Sequence, residues 1–252
     1  MRAALLKAQI EKSLPSAFTA FRRQDQGSIP TGIPQIDQVV QGVPLHSLTE
    51  ICGSSLASSG KTSVLVSLLA HATREHYCAL VDASDAFDPT SGHAAGVSFS
   101  RLLWVRCGKN RVKLPPLEQA FKVADILLQS SGFGLIAIDL SGIPERIVRR
   151  VPLSSWFRFS RVIERQPAAL VFIEQEPHAT SCAGLVLRVA SAARDWSSHP
   201  SQLSPDGVCN EPARFSGNLL MQWNLNVEVV RGRQKKPPGS ERTGFSLTPQ
   251  WV

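Results

Sequence analysis

The run Ser58-Ser59-Gly60-Lys61-Thr62-Ser63 holds the residue types that grip a polyphosphate. Glycine lets backbone N–H groups turn inward onto phosphate oxygens. Lysine neutralises the β- and γ-phosphates, a Ser/Thr hydroxyl holds Mg²⁺, and the positive end of a following helix faces the anion. The spacing departs from the usual G-x-x-x-x-G-K-[ST], which would place its first glycine at Ser55. The glycine is instead Gly53, so the loop GSSLASSGKT is two residues longer. A Gly-Ser loop entering a helix also has an ordinary reading without a ligand. A second residue supports the ligand reading. Asp139 closes the apolar run LIAID, where a carboxylate could orient the water shell of Mg²⁺ opposite Thr62. Alone, a strand-end aspartate caps the next turn; paired with the loop, ATP with Mg²⁺ is the leading reading.

These groups need a sheet to carry them. Leu48–Cys52 reads as a short strand, followed by the loop and a helix from Lys61 with Val64, Leu65, Leu68, Leu69 and Ala72 on one face. Further strands are expected at 78–82, 102–105, 135–139 and 169–173. The nearly all-apolar ones suit a parallel sheet covered on both faces. Pro116 to Ser131 has clear helical spacing, with Pro116 at the first position and Gly132 at the exit. Helices are also predicted over 1–14, 153–165 and 183–190. The end reads as β over 219–231 and 243–248, around a turn at 236–239. Alternating strands and helices predict an α/β fold with a mostly parallel sheet. Ligands bind at the carboxyl ends of such strands, so the loop after Cys52, Asp139 and Glu174-Gln175 should converge. Residues 1–30 are expected to form an N-terminal helix and connector, a candidate oligomerisation arm. Residues 31–252 are expected to form the core, with a flexible insertion at about 195–217, which is rich in Ser, Pro, Gly and Asn.

Composition narrows the class. No apolar run reaches the roughly 18 residues that span a bilayer, and charges at Lys7, Glu11 and Lys12 interrupt the first apolar stretch. The expectation is a cytoplasmic protein without membrane association. The five cysteines form no CxxC pair, which favours buried thiols over a disulfide framework or zinc. The net charge of +7 suits a polyanionic partner or simply a basic soluble protein. Arginines cluster at 146, 149, 150, 158, 161 and 165. Arg146, Arg149 and Arg150 are candidates for nucleic-acid phosphates, with a solvated surface the equal alternative.

In order along the chain, these segments resemble the RecA recombinase family. The resemblance lies in TGIPQIDQVV and GVPLHSLTEICG within 31–53, SSGKT at 58–62, VDASDAFDP at 81–89, LIAID at 135–139, FIEQ at 172–175 and VEVVRGRQKKPPG at 227–239. QIEK at 9–12 is similar to the N-terminal helix through which RecA protomers join. The resemblance implies a RecA-like phosphate-loop NTPase core with a C-terminal β-hairpin. By it, Gly53, Ser58, Ser59, Gly60, Lys61, Thr62 and Ser63 line the nucleotide, and Thr62 and Asp139 take Mg²⁺. Asp88 lies near the adenine and Gln175 senses the γ-phosphate. Arg231 and Arg233 stand where two lysines reach a neighbour's ATP across a filament interface; an arginine keeps the charge and grips phosphate in a bidentate way. A solvated basic hairpin is the alternative for that pair.

The departures bear on activity. The family's water-activating glutamate is replaced by Ser84, which is no comparable base. Asp85, read as part of the strand, would point to its other face. Both DNA loops are short, SGIPERIVRRVP and EPHATSC, and the family's separate C-terminal domain has no counterpart in the sequence. Such shortened proteins resemble the ImuA-type accessories of translesion synthesis. That resemblance implies an ATP-binding DNA-repair protein of the DNA-damage (SOS) response with weak or no hydrolysis, working beside a Y-family polymerase-like partner, with weak binding of single-stranded DNA. An active DNA-dependent ATPase forming filaments and a non-enzymatic scaffold are the alternatives.

Overall fold

A computed structural model describes residues 27–54, 59–108, 114–197, 219–232 and 243–247. The parallel core is built from strands β3 (Ser47–Cys52), β4 (Cys78–Asp82), β5 (Leu102–Arg106), β6 (Leu135–Asp139), β7 (Ala169–Glu174) and β8 (Ala183–Ser197). Strands β9 (Leu219–Arg231) and β10 (Thr243–Leu247) extend it antiparallel, giving the order β10-β9-β8-β3-β7-β6-β4-β5. A separate antiparallel pair joins β1 (Ser28–Ile29) to β2 (Val43–Pro44).

Each central strand is buried on both faces, and alternate side chains feed two cores. From β6, Leu135 and Ala137 join one cluster, while Ile136 and Ile138 join the other. The first cluster holds α2 (Lys61–Ala72) through Val64, Leu65, Leu68 and Leu69, together with Ile36 of α1 (Pro34–Val40). The second holds α4 (Pro116–Gln129) through Leu117, Ala120, Ala124 and Leu128, and α6 (Leu153–Ile163) through Trp156, Phe159 and Ile163. Its centre is aromatic. The Trp156 ring meets Phe172 edge-on at 4.9 Å and Phe121 at 5.6 Å, in the geometry that ring quadrupoles favour. Short helices α3 (Pro89–Ala94) and α5 (Glu145–Val148) complete the described elements.

Four expectations are corrected. The segment 183–190 is no helix but the start of β8. Its apolar run is too short for periodicity to separate helix from strand. Alternation decides it: Leu185, Leu187 and Val189 enter the first cluster and Val186 the second, while β3 and β9 supply hydrogen bonds on both edges. Residues 195–197, expected in a loop, continue this strand, and 198–217 lie outside the described residues. The helix from Pro116 ends at Gln129, because Ser130 turns extended. The helix from 153 ends at Ile163, followed by tight turns in which Arg165 and Gln166 donate to Val162 and Ile163. The predicted helix 1–14 and the turn at 236–239 lie outside the described residues.

Candidate nucleotide-binding site

Parallel pairing brings the expected groups to one edge of the sheet. Cys52 is in register with Glu174, and Asp139 with Ile173, so the loop after β3 leaves the sheet beside the ends of β6 and β7. Gly60 caps α2 in the left-handed region, at φ 92°. A β-carbon there would lie 2.6 Å from a methyl of Leu225 on β9, so both backbone and packing demand glycine. Gly53 meets a similar limit, since a β-carbon would lie 2.7 Å from the carbonyl of Val189. Gly53 thus packs against β8 and Gly60 against β9. It leads into a helix of 12 residues whose first amides have no intrahelical acceptor.

Lys61 is buried, and its ammonium donates to the Gly53 carbonyl at 2.6 Å. Burial pulls its pKa down, opposed by Asp139, Cys52 and Glu174. Thr62 is exposed, Ser63 half-buried and Ser59 buried; Ser58 lies outside the described residues. Asp139 is buried, accepts the Ser141 amide at 2.8 Å, and is raised in pKa chiefly by burial. The donor set fits Mg²⁺-ATP. The buried Ser59 hydroxyl has no protein partner, the cation Lys61 and the carboxylate Asp139 are electrostatically coupled, and the amides of the α2 N-terminus suit phosphate. Among the described residues no group of three or more His, Cys, Asp and Glu could hold a metal by itself.

The remaining predicted residues separate. Ser84 is half-buried, with its hydroxyl unpartnered and packed against Gly142 after β6. Asp85 is not in a strand: β4 ends at Asp82, and Asp85, at φ 55°, forms a two-pronged ion pair with Arg106 at 2.5 and 2.8 Å. Asp88 is exposed and caps α3, accepting the Thr90 and Ser91 amides. Gln175 donates to the carbonyls of Ser141 and Ile143 at 3.3 and 3.1 Å, which ties the end of β7 to the connection after β6. Arg231 donates to the Thr180 carbonyl, while Arg233 lies outside the described residues. Arg146, Arg149 and Arg150 are exposed on and beside α5.

Sequence reasoning missed two buried acid systems. Asp82 accepts the amides of Ser84, Ala86 and Phe87, at 3.3, 3.1 and 2.9 Å, and so shapes the turn after β4. Glu50, inside β3, accepts the amides of His178 and Ala179 at 2.6 and 2.7 Å. Glu174 meets His178 Nδ1 at 2.7 Å. Burial pushes the Glu174 carboxyl up to about 7 despite that contact, and the same contact raises His178. Together these groups pin the connection after β7 to the sheet. The available signal was a glutamate within one strand, Glu50 in SLTEIC, and one closing an apolar strand, Glu174 in ALVFIE, since a buried charge requires partners.

Fold and loop define an α/β core of the phosphate-loop type. Comparison with known proteins places it further: residues 8–144 match the model of the RecA N-terminal domain. The chain belongs to the RecA family. It is 34% identical to the protein RecA of Rickettsia africae over 140 residues, 52% of this chain and 38% of that protein. It is 36% identical to the RecA of Ectopseudomonas oleovorans over 139 residues, 52% of this chain and 37% of that protein. The match therefore spans under two fifths of these relatives. The family match contains the loop, Ser84, Asp88 and Asp139, whereas Gln175 and Arg231 lie beyond it. Among the described residues no helix is long and apolar enough to cross a membrane.

Proposed function

We propose that this chain holds Mg²⁺-ATP at the Gly53–Ser63 loop and turns it over slowly or not at all, as an accessory protein of DNA repair and recombination. The observation carrying this is that buried Lys61, at the mouth of α2, and buried Asp139, at the end of β6, interact electrostatically, while Ser84 packs on Gly142 where a base would be needed. Lys61, Thr62 and the α2 amides would take the phosphates, and Asp139 would order the metal's water shell. The neighbouring Asp85 is engaged by Arg106 and does not replace the base. An ImuA-type role in the SOS response, beside a Y-family polymerase-like partner, is the specific form of this reading. The short connection after β7, tied down by Glu50 and Glu174, favours it over strand exchange. Single-stranded DNA would be held weakly through Arg146, Arg149 and Arg150, and a homo-oligomer or RecA-type filament contact would use the N-terminal arm.

Steady-state ATP hydrolysis, with and without single-stranded DNA, separates the readings. We expect little turnover and little stimulation by DNA. Strong stimulated hydrolysis that Lys61→Ala abolishes would instead establish an active recombinase-type ATPase.

A further inference from the structure

Helix α6 carries two apolar faces where an ordinary surface helix has one. Trp156, Phe159 and Ile163 are buried in the core. On the outer side Leu153 and Phe157 remain 44% and 43% exposed. Phe157 and Val162 flank Ser154, Arg158 and Arg161 on the outer face of this one helix, around an open surface space of about 500 Å³.

By helical spacing Arg158 and Arg161 stand between Phe157 and Val162, so apolar and cationic side chains lie side by side across this face. Helix α6 contains Arg158 and Arg161 and no acidic residue. Arg158 is fixed in place, since Asp125 of α4 holds its guanidinium at 2.7 Å and the group lies over the Phe159 ring at 5.4 Å. Arg161 is exposed and makes no ion pair among the described residues, and Arg165 follows one turn on. We propose that the outer face of α6 is a docking face for an acidic amphipathic segment of a partner protein, which seats an aliphatic or aromatic anchor against Phe157 and sets a carboxylate on Arg161.

Charge complementarity carries the choice of occupant. A carboxylate pairs with guanidinium in two parallel hydrogen bonds, and a helical partner supplies apolar anchors at helical spacing. A phosphate backbone would satisfy the arginines but leave the exposed Phe157 ring facing water. This face lies across the sheet from α2, because α6 packs into the second core cluster and α2 into the first. Docking and nucleotide binding therefore fail independently.

The test uses the full chain and three fluorescein-labelled probes in anisotropy titrations. The first is a synthetic amphipathic helix of about 16 residues, roughly four turns, with Leu and Phe on one face and Glu on the other. The second has Lys in place of Glu, and the third is an oligothymidylate. The Glu peptide is expected to bind with a micromolar Kd and at least about tenfold more tightly than the Lys peptide. Phe157→Asp and Arg161→Glu should each weaken it by about tenfold or more, with unchanged circular dichroism and ATP affinity, since both side chains are exposed. Equal binding of the Glu and Lys peptides, no binding of the Glu peptide, or undiminished binding by both variants would overturn the proposal. Oligothymidylate that displaces the peptide and is itself lost in the same variants would overturn it too, and would assign the face to nucleic acid.

Discussion

Replacing Glu174 by glutamine tests the buried clamp beneath the connection after β7. Burial holds the Glu174 carboxyl at about 7, against 4.5 for an ordinary glutamate. Between those two values the unfolded chain has released a proton that the folded chain keeps. Stability from this group is therefore complete below 4.5 and is lost as pH rises through about 7. One pKa unit is worth about 1.4 kcal/mol, so the full swing is roughly 3 kcal/mol, of which roughly 2–3 kcal/mol falls between about pH 5 and about pH 8. His178 acts in the same sense, because its contact with Glu174 raises its pKa above 6.5 and its contribution also fades as pH rises. Glutamine has the same length and carries no such proton, and it still offers His178 a hydrogen-bonding group. Wild type should lose roughly 2–3 kcal/mol relative to Glu174→Gln across that range, measured by urea unfolding followed through tryptophan fluorescence. Parallel pH profiles for the two proteins would refute the clamp.

Further outcomes follow from the packing. Trp156→Ala empties the aromatic cluster beside Phe172 and Phe121 and should cost roughly 3–5 kcal/mol of stability in the same unfolding assay. Gly60→Val forces a branched side chain into a left-handed backbone and against Leu225; roughly 1–2 kcal/mol of backbone strain should accompany a clear loss of ATP affinity in calorimetry. The thiols of Cys52, Cys78, Cys107 and Cys182 are buried, and burial raises Cys78 to about 12 and Cys107 to about 11. In a Cys209→Ser background, native protein at about pH 8 should resist labelling by an aromatic disulfide until urea unfolds it.

The sequence made the phosphate loop legible because its chemistry is local: Gly60, Lys61 and Thr62 are adjacent, and the apolar runs on either side follow the period of buried strands. LIAID and ALVFI suit interior strands of a parallel sheet, and the family motifs occur in the same order. What escaped was set by tertiary partners. AGLVLRVA fits helix or strand over so short a stretch, and pairing with β3 and β9 decides it. The strand reading of Asp85 fails because Asp82 ends the strand by gathering three amides into a turn. Neither His178 nor the role of Glu50 could be read in advance, because a residue 128 positions away supplies the partner amide.

The central claim is that the Gly53–Ser63 loop holds nucleotide through Lys61. Isothermal calorimetry of Mg²⁺-ATP against the wild-type chain and Lys61→Ala, with circular dichroism to verify folding, tests it most directly. Saturable binding by wild type that weakens by about tenfold or more in a folded Lys61→Ala is the predicted result. Equal binding by both proteins, or none by the wild type, would contradict it.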